Sequence, residues 1–499
     1  MRVRHRRPFR AVAADHLAPP EGAARGRDPA HVEGRDLGLL RAGAGRARAL
    51  RRGLRPARAR AGPRGARLSD ADRARFAPLL PREPIRFAPD FAWGVASSAF
   101  QAEGGDVAND WVAAARAGRV PPNPGNGFWT RAEQDLALAA SLGLRHYRLS
   151  VEWSRVEPAR GRFDEAAFDR YRAICDAAVA AGVAPWVNLF HFTHPTWFAE
   201  RGGFLEPANH ADFLRYVERA GRALAPHARH FHVSNESMVY VLTGYLMGTN
   251  PPFVRDAASA FAMTRHVLAL HADAFRILKA LEPQPTVATI EVYLDPRPEQ
   301  PDDALQRQAA ERFDAWYHGV LLEALATGWV RVPARAPEEI GHLRGALDCY
   351  GFNYYNATSF GADGPGSWSD RGDPPVDAMG RKVFPGGLED GLVRVARALP
   401  GVPLLVTENG VPTTDEAFRI RYVAAHLAAL ERARQRGADV RGYFHWTLVD
   451  NYEWHFGFGP ERFGLVGFDP ATGARHARAS ARWLAEVIRT GVLDPARIP

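Results

Sequence analysis

Cysteine is scarce in this sequence: only Cys175 and Cys349 occur among 499 residues, and each lies inside an apolar run. Two such cysteines do not make a disulfide framework, so the pattern favours a reducing, cytoplasmic compartment. The sequence also lacks an uninterrupted apolar run of about 18 residues, the length that a membrane-spanning helix needs. We therefore expect a soluble protein without a membrane partner.

Two further absences narrow the chemistry. No strand candidate is followed by a glycine-rich turn suited to a dinucleotide. No closely spaced set of histidines and cysteines resembles a metal site. We therefore expect neither a metal nor an organic cofactor.

Positive charge is concentrated at the N-terminus. Residues 1–68 contain 18 arginines and five acidic residues, a balance of +13, whereas the whole chain carries +8, so the remainder is mildly acidic at −5. This segment consists mostly of Arg, Ala, Gly and Pro, which bury too little apolar surface to offset the entropy of ordering. We interpret residues 1–80 as a disordered extension or as translated sequence upstream of the true start.

The same N-terminal segment carries two weaker signals. Arg6-Arg7 resembles the start of an export signal, but no apolar segment follows it, which argues against export. Arginine-rich segments can bind nucleic acid by charge alone. The composition favours a plain extension over such a tether, and only a deletion experiment separates the two.

From about residue 86 onward, a short apolar run, a loop and a stretch of helical periodicity repeat eight times. The clearest helix candidates are residues 164–181, 211–225, 257–281, 415–435 and 477–490. Parallel strands need helical crossovers, and eight strands close a well-filled cylinder. The sequence thus predicts the α/β class and one (β/α)8 TIM barrel over residues 86–492, rather than an open doubly wound sheet. The strand candidates are residues 91–97, 146–153, 184–190, 231–235, 286–292, 350–355, 404–407 and 442–448.

Polar and aromatic residues concentrate where these strands end, which is the face of a TIM barrel that carries active sites. Carboxylates, amides and indoles in one place suit a sugar, which offers hydroxyls to hydrogen bonds and an apolar face to stacking. Glu236 and Glu408 end the fourth and seventh strands, and paired carboxylates are what glycosidic cleavage requires. The full set is Gln101, Arg148, Trp153, His191, Asn235, Glu236, Glu291, Tyr293, Asn353, Tyr355, Glu408, Asn409, Trp446, Glu453 and Trp454.

Together these segments resemble glycoside hydrolase family 1, the β-glucosidase and β-galactosidase family. The resemblance covers residues from about 86 to 492. A lone Asn-Glu pair is weak evidence, but the segments in this order are very specific. They are residues 91–101, 147–155, 235–236, 351–355, 407–410, 442–454 and 462–465.

The resemblance implies a retaining β-glycosidase with a role for each matching residue. Glu408 is the expected nucleophile, and Glu236 the expected general acid and then base. Arg148 and Tyr355 are expected to hold Glu408, and Asn235 to bind the sugar 2-hydroxyl. The expected substrate-binding residues are Gln101, His191, Asn353, Trp446, Glu453 and Trp454.

Three departures from the family pattern bear on the site. Ser237 stands where a proline usually follows the acid/base, which predicts a less restrained turn. Phe192 replaces a tryptophan, and Gly380-Arg381-Lys382 lacks an indole near the leaving group. Glu291 lies at the end of the fifth strand and is left out of the predicted site; we interpret it as either an extra substrate contact or a salt-bridge partner.

The loop after the eighth strand predicts a neutral terminal sugar of the glucose, galactose or fucose type. Family members that take 6-phosphorylated sugars carry a serine and a lysine there. This chain has Glu453 at the serine's position and no lysine between Trp446 and Phe468. A glutamate repels a phosphate.

Two other functions fit the same residues. A carbohydrate-binding pseudoenzyme would keep the pocket without turnover, although such proteins usually lack one of the two glutamates. A transglycosylase would use the same site but exclude water from the second step. The identity of the substrate, the oligomeric state and the role of Glu291 are left open by the residues alone.

Overall fold

The computed structural model describes residues 70–361, 364–366, 375–377 and 379–499. Eight parallel strands close into a barrel in sequential order, so that each strand pairs with the next and β8 pairs with β1. The (β/α)8 fold predicted from the sequence is confirmed. The strands are β1 (Ala92–Ala96), β2 (His146–Ser150), β3 (Ala184–Asn188), β4 (His230–Asn235), β5 (Thr286–Val292), β6 (Cys349–Asn353), β7 (Leu404–Asn409) and β8 (Val440–Trp446).

Helices cross from each strand to the next on the outside of the barrel. Several begin at an aspartate whose carboxylate accepts backbone N–H groups of the first turn, as Asp164, Asp256 and Asp415 do. The crossover helices are α1 (Phe128–Ser141), α2 (Glu165–Ala180), α3 (His210–Leu224), α4 (Ala257–Lys279), α5 (Ala304–Asp314), α6 (Val320–Thr327), α7 (Pro385–Ala398), α8 (Glu416–Gln435) and α9 (Ala479–Thr490).

Shorter elements decorate this frame. A π-helical segment, Ala315–Gly319, joins α5 to α6, and another, Leu242–Leu246, follows the helix after β4. The remaining α-helices are Asp70–Phe76, Ala99–Glu103, Asp110–Arg116, Trp153–Val156, Thr196–Ala199 and Ser237–Val241. The small strands are Ile85–Arg86, Pro296–Pro298, Trp329–Val330, Glu338–Glu339, Thr358–Gly361, Gly364–Gly366, Val466–Phe468, Arg475–Ala477 and Val492–Leu493.

Side chains fill the interior of the barrel. Trp186, Cys349, Leu405 and Phe444 pack together there from four different strands. All six residues of β7 are buried, because a barrel strand has the core on one face and helices on the other. Gly94 is required by this packing, since a Cβ at that position would lie 2.6 Å from Phe444.

The predicted boundaries shift at several strand ends. The second strand was predicted to reach Trp153, but it ends at Ser150, and Trp153 begins a short helix instead. Gln101 was placed at the end of the first strand and lies in the helix Ala99–Glu103. The apolar pattern of a sequence alone does not mark where a strand ends.

The first described elements of the chain begin within the predicted extension, residues 1–80. Of residues 1–80, residues 1–69 lie outside the described part of the chain. The helix Asp70–Phe76 follows, and Phe76 is fully buried with its ring 5.0 Å from that of Phe418 in an edge-to-face contact. The strand Ile85–Arg86 then pairs with Val492–Leu493, which joins the two ends of the predicted domain.

Candidate active site

The carboxyl ends of the barrel strands bring Glu236 and Glu408 into one buried network. Glu408 lies near the end of β7, and Glu236 directly follows β4; their side chains are almost fully buried. The negative charge of Glu408 raises the pKa of Glu236, which shows that the two carboxyl groups interact although they are 172 positions apart in sequence.

Arg148 connects the two halves of the network. This fully buried side chain on β2 donates from Nη2 to Oε1 of Glu408 and from Nη1 to Oδ1 of Asn235 at 2.7 Å. Tyr355, just after β6, donates its hydroxyl to the other oxygen of Glu408. A guanidinium and a hydroxyl on the two oxygens fix the orientation of this carboxylate and stabilise its charge.

Glu236 has a different environment. Asn353 at the end of β6 donates to its Oε1 at 2.6 Å, and Thr407 donates to Oδ1 of Asn353 at 2.7 Å. Burial is the largest cause that raises the pKa of Glu236 well above its ordinary value, and the charge of Glu408 adds to it. The bond from Asn353 and the positive charge of Arg148 act in the opposite direction. The balance favours a protonated Glu236 beside a charged Glu408.

The predicted sugar-binding residues surround this network. His191 follows β3, and its Nε2 lies 3.2 Å from the side-chain nitrogen of Asn235. Burial, helped by the charge of Arg148, lowers the pKa of His191 well below its ordinary range, so the ring is neutral. Gln101 is fully buried and donates to the carbonyl of Tyr452 at 2.7 Å while it accepts a bond from Ser98.

Two indoles form apolar walls beside these polar groups. Trp446 ends β8 and lies 6.1 Å from the ring of His191, and the guanidinium of Arg148 lies 5.9 Å from the centre of its indole. Trp454 is held from behind by Phe100, which stacks on it at 5.7 Å, and by Trp111 at 4.4 Å. Flat aromatic faces of this kind suit stacking against the apolar face of a sugar.

Glu453 lies beside Trp454 and is half-buried. Burial raises its pKa to about 7, while the charge of Arg381 opposes this rise. The structure thus gathers every residue of the predicted site at one end of the barrel. In the described part of the chain, His, Cys, Asp and Glu side chains nowhere form a group of three suited to a metal ion.

Sequence reasoning missed Arg381 as a neighbour of the site. Its guanidinium lies 5.7 Å from the ring centre of Tyr355 and 5.9 Å from that of Phe463, and it donates from Nε to Asp377 at 2.8 Å. Its only signal in the sequence is that it stands where an indole was expected. The insert after β6 that carries it is described only in part.

Of the two roles that the sequence suggests for Glu291, the salt bridge is wrong, and the substrate contact stays a prediction. Glu291 is almost fully buried, and it forms no salt bridge with any described residue. Both of its oxygens accept hydrogen bonds, one from the hydroxyl of Ser237 and one from the backbone N–H of Met238 at 3.2 Å. Glu291 is therefore the partner of Ser237, the residue that departs from the family pattern.

Every helix in the described ranges is too short or too polar to cross a bilayer.

Comparisons with known proteins agree with this geometry. The sequence model of glycosyl hydrolase family 1 matches residues 83–492. β-Glucosidase A of Thermotoga maritima is 27% identical over 447 residues, which cover 82% of this chain and 99% of that protein. β-Galactosidase of Pyrococcus woesei is 29% identical over 488 residues, which cover 79% and 94%.

The solved structure of a β-glycosidase from Pyrococcus horikoshii is 34% identical, covers 83% of this chain and 97% of its own, and superposes with a TM-score of 0.76. The family match extends over nearly the whole barrel, from the strand Ile85–Arg86 to its partner Val492–Leu493. The chain therefore belongs to glycosyl hydrolase family 1 and is a glycoside hydrolase of the β-glycosidase type.

Proposed function

We propose that this protein cleaves the terminal neutral sugar from β-glycosides in two steps and with retention of configuration. Glu408 attacks the anomeric carbon while Glu236 protonates the leaving oxygen. Water, deprotonated by Glu236, then hydrolyses the glycosyl ester. The observation that carries the proposal is the contrast between two linked carboxyl groups: Arg148 and Tyr355 contact Glu408, whereas burial favours the protonated form of Glu236.

The change of role of Glu236 follows from the same contacts. When Glu408 becomes an ester, its negative charge disappears, and the second largest cause that raises the pKa of Glu236 disappears with it. The bond from Asn353 and the charge of Arg148 remain, and both favour the ionised form. Glu236 then acts as a base in the second step, as the retaining mechanism requires.

Asn235 is the proposed ligand of the 2-hydroxyl. Its Oδ1 accepts from Arg148 at 2.7 Å and lies 3.3 Å from the side-chain nitrogen of Asn353. The amide is thus held between the two catalytic groups. Hydrogen bonds to the 2-hydroxyl strengthen in an oxocarbenium-like transition state and supply several kcal/mol.

The neutral sugar is supported by the charges at the rim. Glu453 supplies negative charge, and Arg381, whose charge acts on Glu453, is already bonded to Asp377 at 2.8 Å. A 6-phosphate would meet Glu453 without a dedicated counter-charge. We expect neutral nitrophenyl β-glycosides to be cleaved faster than their 6-phosphorylated counterparts, and the reverse order would overturn this part of the proposal.

Chemical rescue tests the two main roles. Glu408→Gly and Glu236→Ala are assayed with activated aryl β-glycosides, with and without azide. We expect both variants to lose activity and azide to restore it, giving an α-glycosyl azide from the first and a β-glycosyl azide from the second. Exchanged anomers would reverse the roles. A wild-type protein that binds sugars but cleaves no glucoside, galactoside or fucoside would support the pseudoenzyme. Product analysis with an added alcohol acceptor separates hydrolysis from transfer of the sugar to the alcohol.

A further inference from the structure

The backbone at Glu236 adopts a conformation that needs support. Its φ is 48° and its ψ is 57°, in the left-handed region that residues other than glycine rarely adopt. This turn directs the side chain from the end of β4 into the barrel mouth. Such a backbone persists only where the surroundings hold it.

Two adjacent residues of β5 provide that support. The carbonyl of Ile290 accepts the N–H of Glu236 at 2.9 Å. The next residue, Glu291, accepts from the hydroxyl of Ser237 with Oε1 and from the N–H of Met238 with Oε2. One segment of strand therefore holds three successive residues, and Glu236 is the first of them.

The carboxylate of Glu291 is directed at the turn after β4. Its side chain is 2% exposed, and both oxygens are already engaged. The groups that interact with it from neighbouring elements are Glu236, Tyr317 in the π segment Ala315–Gly319, and Tyr350 on β6. Its charge is a minor cause of the raised pKa of Glu236, after burial and Glu408, which places the two carboxyl groups close together.

We propose that Glu291 is a positioning residue for the general acid/base: together with Ser237 it restrains the turn that directs Glu236 at the leaving oxygen. In this chain the pair supplies the restraint that relatives of the common pattern obtain from a proline after the acid/base. The inference rests on the proposed role of Glu236. The turn predicted from Ser237 to be loose is thus held by a hydrogen bond that a proline could not make.

Leaving-group dependence distinguishes this role from a merely structural one. Protonation by Glu236 matters for a poor leaving group such as 4-nitrophenol and little for the far more acidic 2,4-dinitrophenol. A misdirected acid therefore slows cleavage of the first substrate selectively. A general loss of folded protein lowers both rates by the same factor.

The test compares kcat/KM of the wild type, Glu291→Ala, Glu291→Gln and Ser237→Ala on both aryl β-glycosides. We expect Glu291→Ala to lower kcat/KM for the 4-nitrophenyl substrate about 10- to 100-fold, which is less than the roughly 10²- to 10⁴-fold contribution of a general acid because Glu236 is displaced and not removed. The value for the dinitrophenyl substrate should change far less. Ser237→Ala, which removes only a hydroxyl, should show the same selectivity with a smaller effect, and Glu291→Gln should fall between them.

Glu157→Gln is the matched control, because Glu157 is equally buried but bonds to Trp153 and Arg215, away from the β4 turn. It should affect both substrates equally. Equal losses on both substrates in the Glu291 and Ser237 variants would overturn the proposal. Glu236→Ala tests the proposed role of Glu236 itself. If Glu236 is not the general acid, this variant shows no leaving-group selectivity, and that result is distinct from a failure of the role of Glu291.

Discussion

The side-chain amide of Asn353 donates to Oε1 of Glu236 across 2.6 Å. Thr407 fixes the direction of this bond, because its hydroxyl donates to the amide oxygen of Asn353 and so turns the NH2 group toward Glu236. A donor at a carboxylate favours its ionised form, so Asn353 opposes the burial and the charge that keep Glu236 protonated. The acid/base is thus held between opposing influences, as a group that must both give and take a proton requires.

Replacing Asn353 should disturb this balance in a known direction. In Asn353→Ala the pKa of Glu236 rises, so the limb of kcat/KM that reports its deprotonation moves to higher pH. The second step needs ionised Glu236 and should slow about 10- to 100-fold. Thr407→Val should act in the same direction with a smaller effect. Thr264→Val, in the buried α4 away from the site, is the control, and an unmoved limb in Asn353→Ala would contradict the argument.

The charge of Glu408 should control the titration of Glu236. In Glu408→Gln this charge is removed, which lowers the pKa of Glu236, while Arg148 remains and still favours the ionised form of Glu236. Carboxyl NMR or infrared titration of the inactive variant measures this directly. Glu453→Gln is the control, because Glu453 is not among the causes that shift the pKa of Glu236. The pKa of Glu236 in this variant should equal the wild-type value. An unchanged pKa in Glu408→Gln would show that the role change is not electrostatic.

Arg148 and Glu408 should be coupled in stability as well as in catalysis. Arg148 is fully buried and its partner nearly so. Removing one member leaves the other charge buried and unpaired, which costs about 3–5 kcal/mol. We therefore expect Arg148→Met to lower the free energy of unfolding strongly, and Arg148→Met with Glu408→Gln to lower it by much less than the sum of the single changes. Additive losses in urea unfolding would contradict this coupling.

Substrate binding should depend on pH through Glu453. Burial raises its pKa to about 7, so the carboxylate is present above that pH and lost below it. A carboxylate accepts bonds from sugar hydroxyls better than a protonated acid does. We expect KM to rise as the pH falls below about 7. In Glu453→Gln, KM should be higher and independent of pH over the same range. A wild-type KM that does not change in that range would contradict the prediction.

The start of the stable domain should lie before Phe76. This ring is fully buried against Phe418, so Phe76→Ala should cost about 3–5 kcal/mol. Deleting residues 1–69 should change neither the unfolding midpoint nor kcat/KM. Thermal unfolding and the nitrophenyl assay check both variants.

The deletion also tests the nucleic-acid tether: equal retention on DNA at low salt with and without residues 1–69 would exclude it.

The sequence by itself determined the barrel and predicted which side chains meet at its carboxyl face. Eight alternating strand and helix patterns leave few topologies, because short crossovers between parallel strands must run on the outside of the sheet. Where each strand pattern ends then predicts which side chains meet at the carboxyl face. The meeting of Glu236 and Glu408 is predicted in this way, because both end strands of one closed barrel and the carboxyl ends of all its strands lie at the same face.

Only the tertiary structure decided how these groups act on one another. β2 ends at Ser150 and not at the predicted Trp153, because its pairing with β3 ends at Ser150 and Asn188, and Trp153 begins a helix. The partnership of Glu291 with Ser237 joins positions 54 apart, and neither residue type predicts it. Hydrogen-bond partners and burial depend on distances between strands, and these distances arise only when the barrel closes.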